Sequence, residues 1–129
     1  MKRRALLALF ALAVALPATA ADEKKKAGGE TYIQINTLTG TTNKGGGRRG
    51  VLTVECGLDI QDKALRERAN LSLPRLRAAY VQMIQTYAAG LTPGAPPSVD
   101  FIGQALQRQT DTILGRPGAR ILLGAILVN

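Results

Sequence analysis

Two stretches with the alternation of β-strands flank a glycine-rich segment, and this arrangement restricts the fold more than any other feature. The first, "TYIQINTLTG", is β-branched and aromatic, and it predicts a strand over residues 31–39. The second, "VLTVECGLDI", predicts a strand over 51–60 with a bulge at Gly57; its apolar side carries Leu52, Val54 and Cys56. Because the intervening "TTNKGGGRRG" has the composition of a loop, we expect a β-hairpin with a long, mobile tip.

Part of this loop, "GGGRRG" from Gly45 to Gly50, matches the G-x-G-x-x-G fingerprint of dinucleotide-binding loops. In that motif a helix begins at the last glycine, and its free N–H groups hold the pyrophosphate. Here a second strand follows instead. We therefore predict no cofactor site at this loop.

Two helices are predicted after the hairpin. Asp62 is the best helix start, and apolar residues recur every three or four positions from Leu65 to Tyr87. Pro74 lies inside this pattern and should kink or split the helix near Leu73. Gly90 is the predicted C-cap. The second helix is predicted to begin after Ser98 and to end at "GRPG", residues 115–118.

The last segment, "ARILLGAILVN", is apolar on both faces, which predicts a central, buried strand. The predicted order is therefore β-β-α-α-β. This order indicates an α+β fold in which two helices pack on one face of a small mixed or antiparallel sheet.

The N-terminus has the features of a secretory signal peptide. Basic residues Lys2 to Arg4 precede an apolar run that begins at Ala5, and an A-x-A cleavage site ends at Ala20. The run is shorter than a typical membrane span. We predict a signal peptide at 1–20, a flexible linker at 21–30, a domain at 31–129 and a periplasmic location, with an uncleaved inner-membrane anchor as the alternative.

The amino-acid composition excludes several kinds of catalytic site. The chain has no histidine and one cysteine, so His-assisted nucleophiles and an intramolecular disulfide are excluded. Cys56 is predicted to be a buried, inert thiol, and the nearby Glu55, Asp59 and Asp62 are interpreted as structural rather than as a metal cluster. We accordingly predict no catalytic residues, no metal and no cofactor.

The distribution of charged residues indicates that a partner of this chain would be a protein. Three of the 17 basic residues lie in the predicted signal, which leaves a net charge of +5 for residues 21–129. No basic–aromatic stripe of the kind that stacks bases is present, so nucleic acid is not a predicted partner. Four arginines concentrate on the first predicted helix, and they are the candidate interface residues for an acidic partner or a second subunit: Arg66, Arg68, Arg75 and Arg77.

The segment "RRGVLTVECGLDIQDKALRERANLSLPRLRAAYVQMI" resembles the periplasmic domain of the flagellar basal-body-associated FliL family. In that family a strand leads through acidic residues into a long helix that often carries an R…P.LR motif. Here the strand is 51–60, and the motif is Asp62, Arg68, Pro74, Leu76 and Arg77. The opening "TYIQINTLTG" and the closing "LQRQTDTILGRPGARILLGAILVN" extend the resemblance over residues 31–129.

This resemblance implies a stomatin-like (SPFH-like) domain without enzymatic activity. It also implies self-association into an oligomer around the flagellar stator and a role in motor function and motility. Unlike typical members, which retain a membrane helix, this chain begins with a cleavable-looking signal. Membrane contact is expected only if that segment is retained. The alternative functions are a periplasmic envelope scaffold and a small ligand-binding protein, neither connected with motility.

Overall fold

A computed structural model describes residues 29–129. The signal-peptide prediction for 1–20 and most of the linker prediction for 21–30 lie outside these residues. The elements, in chain order, are β1 (Tyr32–Gln34), β2 (Leu38–Gly45), β3 (Arg48–Ile60), α1 (Lys63–Leu71), α2 (Leu73–Ala89), α3 (Val99–Leu114) and β4 (Ala119–Val128).

The long strand β3 is the centre of an antiparallel sheet. Its neighbours on one side are β2 and, at its C-terminal end, β1, while β4 pairs along its other side. The helices cover one face of the sheet, where the alternate β3 side chains from Leu52 to Ile60 are buried against them. The predicted α+β architecture is confirmed. Residues 29–129 contain four strands instead of the predicted three, because the predicted strand over 31–39 is divided between β1 and β2, and three helices instead of two.

The hairpin between β2 and β3 is confirmed, but its tip is much shorter than predicted. Strand pairing continues to Gly45 and Arg48, which leaves a two-residue turn at Gly46–Gly47. Both turn residues have positive φ, 61° and 79°, as the tight turns that match strand twist require. The glycines that match the nucleotide fingerprint therefore close a hairpin.

The predicted bulge at Gly57 is wrong. The pairing of β1 with β3 runs through Gly57 without a register shift, and the buried positions of β3 keep a period of two. Glycine occurs here because the Tyr32 ring lies on it: a Cβ at Gly57 would lie 2.1 Å from the Tyr32 hydroxyl oxygen. Any side chain at residue 57 would clash with the Tyr32 ring, so this position requires glycine.

The predicted boundary residues of the helices are confirmed. The Asp62 carboxylate accepts a hydrogen bond from Leu65 N at 2.8 Å and caps α1. Ser98 caps α3 through Phe101 N. Pro74 splits the predicted long helix: α1 ends at Leu71, and α2 begins at Leu73 with the proline in its first turn, where no intrahelical N–H is lost.

The prediction that the last strand is central is wrong. Within residues 29–129, β4 pairs with β3 alone and forms an edge of the sheet. Its side chains are only partly covered, and the burial along the strand decreases from Ala119 toward Val128.

Candidate interaction surface

The open side of β4 is an apolar surface. Leu127 is 59% exposed and Val128 is 40% exposed, although both belong to a strand with no charged side chain after Arg120. Natural sheets usually protect such an edge with charges, proline or a short strand. β4 is ten residues long and contains none of these protections between 121 and 128. The segment from Leu123 to Val128 is called the open edge below.

The first part of β4 is closed by a side chain of α3. Gln107 accepts a hydrogen bond from Ile121 N at 2.9 Å through its Oε1 and donates one to the Ala119 carbonyl at 2.6 Å through its Nε2. The Gln107 amide thus makes the two hydrogen bonds that a neighbouring strand would otherwise make with β4. Asp111 accepts a second hydrogen bond from the same Nε2 at 3.0 Å, which holds the amide in this orientation.

The open edge also contains a bulge. Opposite the single residue Glu55 of β3, β4 has both Gly124 and Ala125, and the register shifts between Leu123 and Ile126. The Glu55 carboxylate lies over this bulge and accepts a bond from Ala125 N at 3.4 Å. Glu55 thus contacts the β4 backbone, and it lies on the sheet face that the helices do not cover.

The four candidate interface arginines differ in their surroundings. Arg66 donates to the Ile60 carbonyl at 2.9 Å, and Arg68 donates to the Leu114 carbonyl at the end of α3 at 2.8 Å. Both therefore join α1 to neighbouring elements, and Arg68 complements the negative end of a helix dipole. Arg75 is exposed and Arg77 is half-buried on α2. Of the four, Arg75 is the one most available to a partner.

Asp62 has a second role beyond capping. Its carboxylate forms an ion pair with Arg116 at 2.8 Å, which joins the start of α1 to the turn before β4. The Leu65 N–H, and after it the Arg116 guanidinium, lower the pKa of Asp62. Both partners are about half exposed, so this pair orients the turn more than it stabilises the fold.

A buried polar contact joins α2 to α3. The Thr110 hydroxyl donates to the Leu106 carbonyl at 2.7 Å, so the Tyr80 hydroxyl donates to Thr110 Oγ1. Both side chains are fully buried. The Tyr80 hydroxyl therefore depends on Thr110 for a hydrogen bond that water cannot replace, whereas Thr110 keeps its bond to Leu106.

The two partners should respond unequally to mutation. Thr110→Val leaves the Tyr80 hydroxyl buried without an acceptor, and we expect a loss of about 1–3 kcal/mol in the free energy of unfolding. Tyr80→Phe leaves Thr110 still bonded to Leu106, and we expect a loss of about 0.5–1.5 kcal/mol. Urea titrations of the two variants would measure the difference; a larger loss for Tyr80→Phe would contradict the assignment of the donor.

A shallow cleft of about 530 Å³ lies beside the hairpin, between Lys44, Arg48, the 91–97 loop and the end of β4. Thr42 is also part of its lining, and its buried hydroxyl has no hydrogen-bond partner within the described residues. Thr42 Oγ1, the Lys44 stem and the Asn129 carbonyl all crowd over Gly50. Because this hydroxyl is covered, the polar groups that the cleft presents to solvent come from other residues, among them the exposed Lys44 and Arg48.

The residues that were candidates for chemistry are dispersed or buried. Cys56 is 3% exposed in the core, and burial raises the pKa of its thiol to about 11. In the described part of the chain, no three His, Cys, Asp or Glu side chains are grouped as a metal site would need. Among residues 29–129, no helix has the length and apolarity needed to cross a membrane.

Neither protein-family models nor curated proteins give a match to this sequence.

Sequence reasoning missed the open edge and the role of Gln107. The apolar character of β4 was recognised, but it was interpreted as the sign of a central strand. The absence of a protecting charge or proline in 121–128 could have indicated an edge that awaits a partner. Gln107 gave no signal, because a glutamine on a helix surface is ordinary until the strand beside it is known.

Proposed function

We propose that this protein is a non-enzymatic, exported member of the FliL type that supports the flagellar stator and motility through protein–protein contact. The sequence resemblance supports this role, and its motif residues occupy β3, α1 and α2. Asp62 and Pro74 define the start and the division of the helical segment. The proposal includes self-association into a homo-oligomer and a periplasmic location.

The observation that carries the interaction role is the open edge of β4. A long apolar strand with one unpaired side is a site for strand pairing. The exposed Leu127 and Val128 add apolar area that a partner would remove from water. Arg75 adds an exposed cation on α2 for an acidic partner.

The environment of the thiol supports a non-enzymatic role. The nucleophilic form of cysteine is the thiolate, and a pKa raised to about 11 leaves little thiolate at neutral pH. Cys56 is also buried among core side chains, where a substrate would not reach it. The thiol is better suited to packing than to catalysis.

Deletion of the gene from its bacterium would test the flagellar role. We expect slower swimming in viscous medium and reduced swarming, because a stator-supporting protein matters most under load. A plasmid copy of the wild-type gene should restore both. Normal motility of the deletion strain would reject the flagellar role in favour of an envelope scaffold or a ligand-binding protein.

N-terminal sequencing of the exported product, expected to begin at Ala21, would test the signal cleavage.

A further inference from the structure

At alternate residues of the open edge, the backbone groups point away from the sheet. Ile121 N bonds to Gln107 and so faces away from β3, whereas Asn129 N bonds to the Val51 carbonyl and faces toward it. Successive residues of a strand alternate in direction, and the bulge at 124–125 adds one residue to this count. The N–H and C=O groups of Leu123, Ile126 and Val128 therefore point outward, where the described part of the chain places no other strand.

The residues whose backbone groups point outward and are free to pair form a short segment that is symmetric about Ile126. The Gln107 side chain already bonds to the Ala119 carbonyl and the Ile121 N–H and covers this part of the edge, so a new strand can pair beyond it. The remaining positions are spaced evenly about Ile126, because the bulge counts as one position of the ladder. An antiparallel copy of the same segment would thus place Ile126 opposite itself and Leu123 opposite Val128.

We propose that two copies of this chain pair antiparallel through their open edges, about a twofold axis at Ile126. The inference deepens the proposed interaction role and rests on it, because it names the partner and the contact. The pairing would join two sheets into one continuous sheet and would satisfy the outward backbone groups of both copies.

Charge and apolar character favour a second copy as the occupant. Residues 121–128 contain no charged side chain, so two copies meet without repulsion along the paired segment. Arg120 lies outside the paired segment, so the two arginines are far from each other. Apolar side chains stand on both faces of β4, and each would meet an apolar side chain of the other copy. The opposite edge of the sheet, β2, contains five threonine, asparagine and lysine side chains and is less suited to such pairing.

The start of α3 adds to the same surface. A methyl group at Gly103 would lie 3.4 Å from Leu123 Cδ1, so this part of α3 lies over the open edge. Val99, one helical turn before Gly103, is about half exposed. A second copy at the open edge would bring two such helix starts together near the axis and cover more apolar surface.

Leu127→Lys should disrupt the pair without disrupting the fold. The Leu127 side chain is already mostly exposed, and its backbone bonds face β3. Two lysines would stand on neighbouring strands close to the axis, and we expect the dimer Kd to rise about tenfold or more. Analytical ultracentrifugation of the purified full chain across a concentration series would measure this. The matched control is Leu71→Lys, the same change at an 85% exposed leucine on α1, which should leave the dimer unchanged.

Cross-linking would test the register. With Ile126→Cys, a short bis-maleimide should link two copies in high yield, because residue 126 lies opposite itself. Val128→Cys should link poorly with itself but well with Leu123→Cys when the two variants are mixed. Cys56 is buried and serves as the unreactive background in the wild type.

A wild-type chain that stays monomeric across the concentration series would overturn the proposal. So would a dimer equally weakened by Leu71→Lys, or one that cross-links through 128 in preference to 126. Capture of an extended peptide from another protein at the open edge, without dimerisation, would also reject the second copy as the occupant. These results do not depend on motility, so failure of the pairing and failure of the flagellar role can be told apart.

Discussion

Replacing Gly40 with valine is expected to lower the free energy of unfolding by more than about 3 kcal/mol, a large part of the stability of a small domain. Gly40 lies in β2 directly under α2. A Cβ at this position would lie 2.9 Å from both Ala88 Cβ and the Ile84 carbonyl oxygen, and 3.2 Å from Gln85 Cα. Two of these three atoms belong to the backbone of α2, so relief would require moving the whole helix.

Substitutions of increasing size at Gly40 would test whether contact with α2 causes the loss of stability. Gly40→Ala should cost about 1–3 kcal/mol, less than valine, because only one methyl group must be accommodated. Gly90→Ala is the matched control: Gly90 has a negative φ, and an added Cβ would have no neighbour nearer than 3.8 Å. Urea unfolding followed by circular dichroism would give the three values. Equal losses for Gly40→Ala and Gly90→Ala would show that helix–sheet contact is not the cause.

The free energy of unfolding should also fall steeply at alkaline pH. Burial raises the pKa of the Cys56 thiol from 9.0 to about 11 and that of the Tyr80 hydroxyl from 10.0 to about 12. The folded protein therefore holds these protons more tightly than the unfolded chain does, and rising pH favours unfolding. The contribution of Cys56 should be intact below pH 9 and lost by about pH 11, while that of Tyr80 should be lost between about pH 10 and 12. A shift of two units corresponds to ~2.7 kcal/mol for each group.

Urea midpoints measured from pH 8 to 12 would separate the two groups. In Cys56→Ala the whole curve should lie lower, because a buried side chain is truncated, but the decline that begins near pH 9 should disappear. In Tyr80→Phe the early decline should persist and the later one should weaken. A decline of unchanged shape in Cys56→Ala would mean that the thiol is not the group responsible.

Local signals predicted most of the secondary structure. The caps at Asp62 and Ser98 depend on the side chain and the following few residues, and the division at Pro74 depends on a missing N–H and a ring clash within one turn. The hairpin likewise follows from two alternating stretches around glycines. Its tip was predicted too long, because composition does not reveal how far two strands continue to pair.

The errors concern residues whose surroundings come from distant parts of the chain. Gly57 was interpreted as a bulge, but the reason for glycine is the ring of Tyr32, which β1 brings onto it from 25 positions earlier. Two of the four candidate arginines, Arg66 and Arg68, bond to carbonyl groups at the ends of other elements. Their spacing on a helix could not reveal those partners.

The amino-acid sequence by itself determined the order of strands, hairpin and helices, where the helices begin, and which face of each is apolar, but not where the strands of the hairpin end. These properties depend on alternation, capping and backbone restrictions within a few residues. Only the tertiary structure decided that β4 lies at the edge, that Gln107 closes part of it, and that Leu123 to Val128 remain open. A strand that is apolar on both faces is compatible with a central position or with an edge awaiting a partner, and the choice depends on strand pairing across the whole chain.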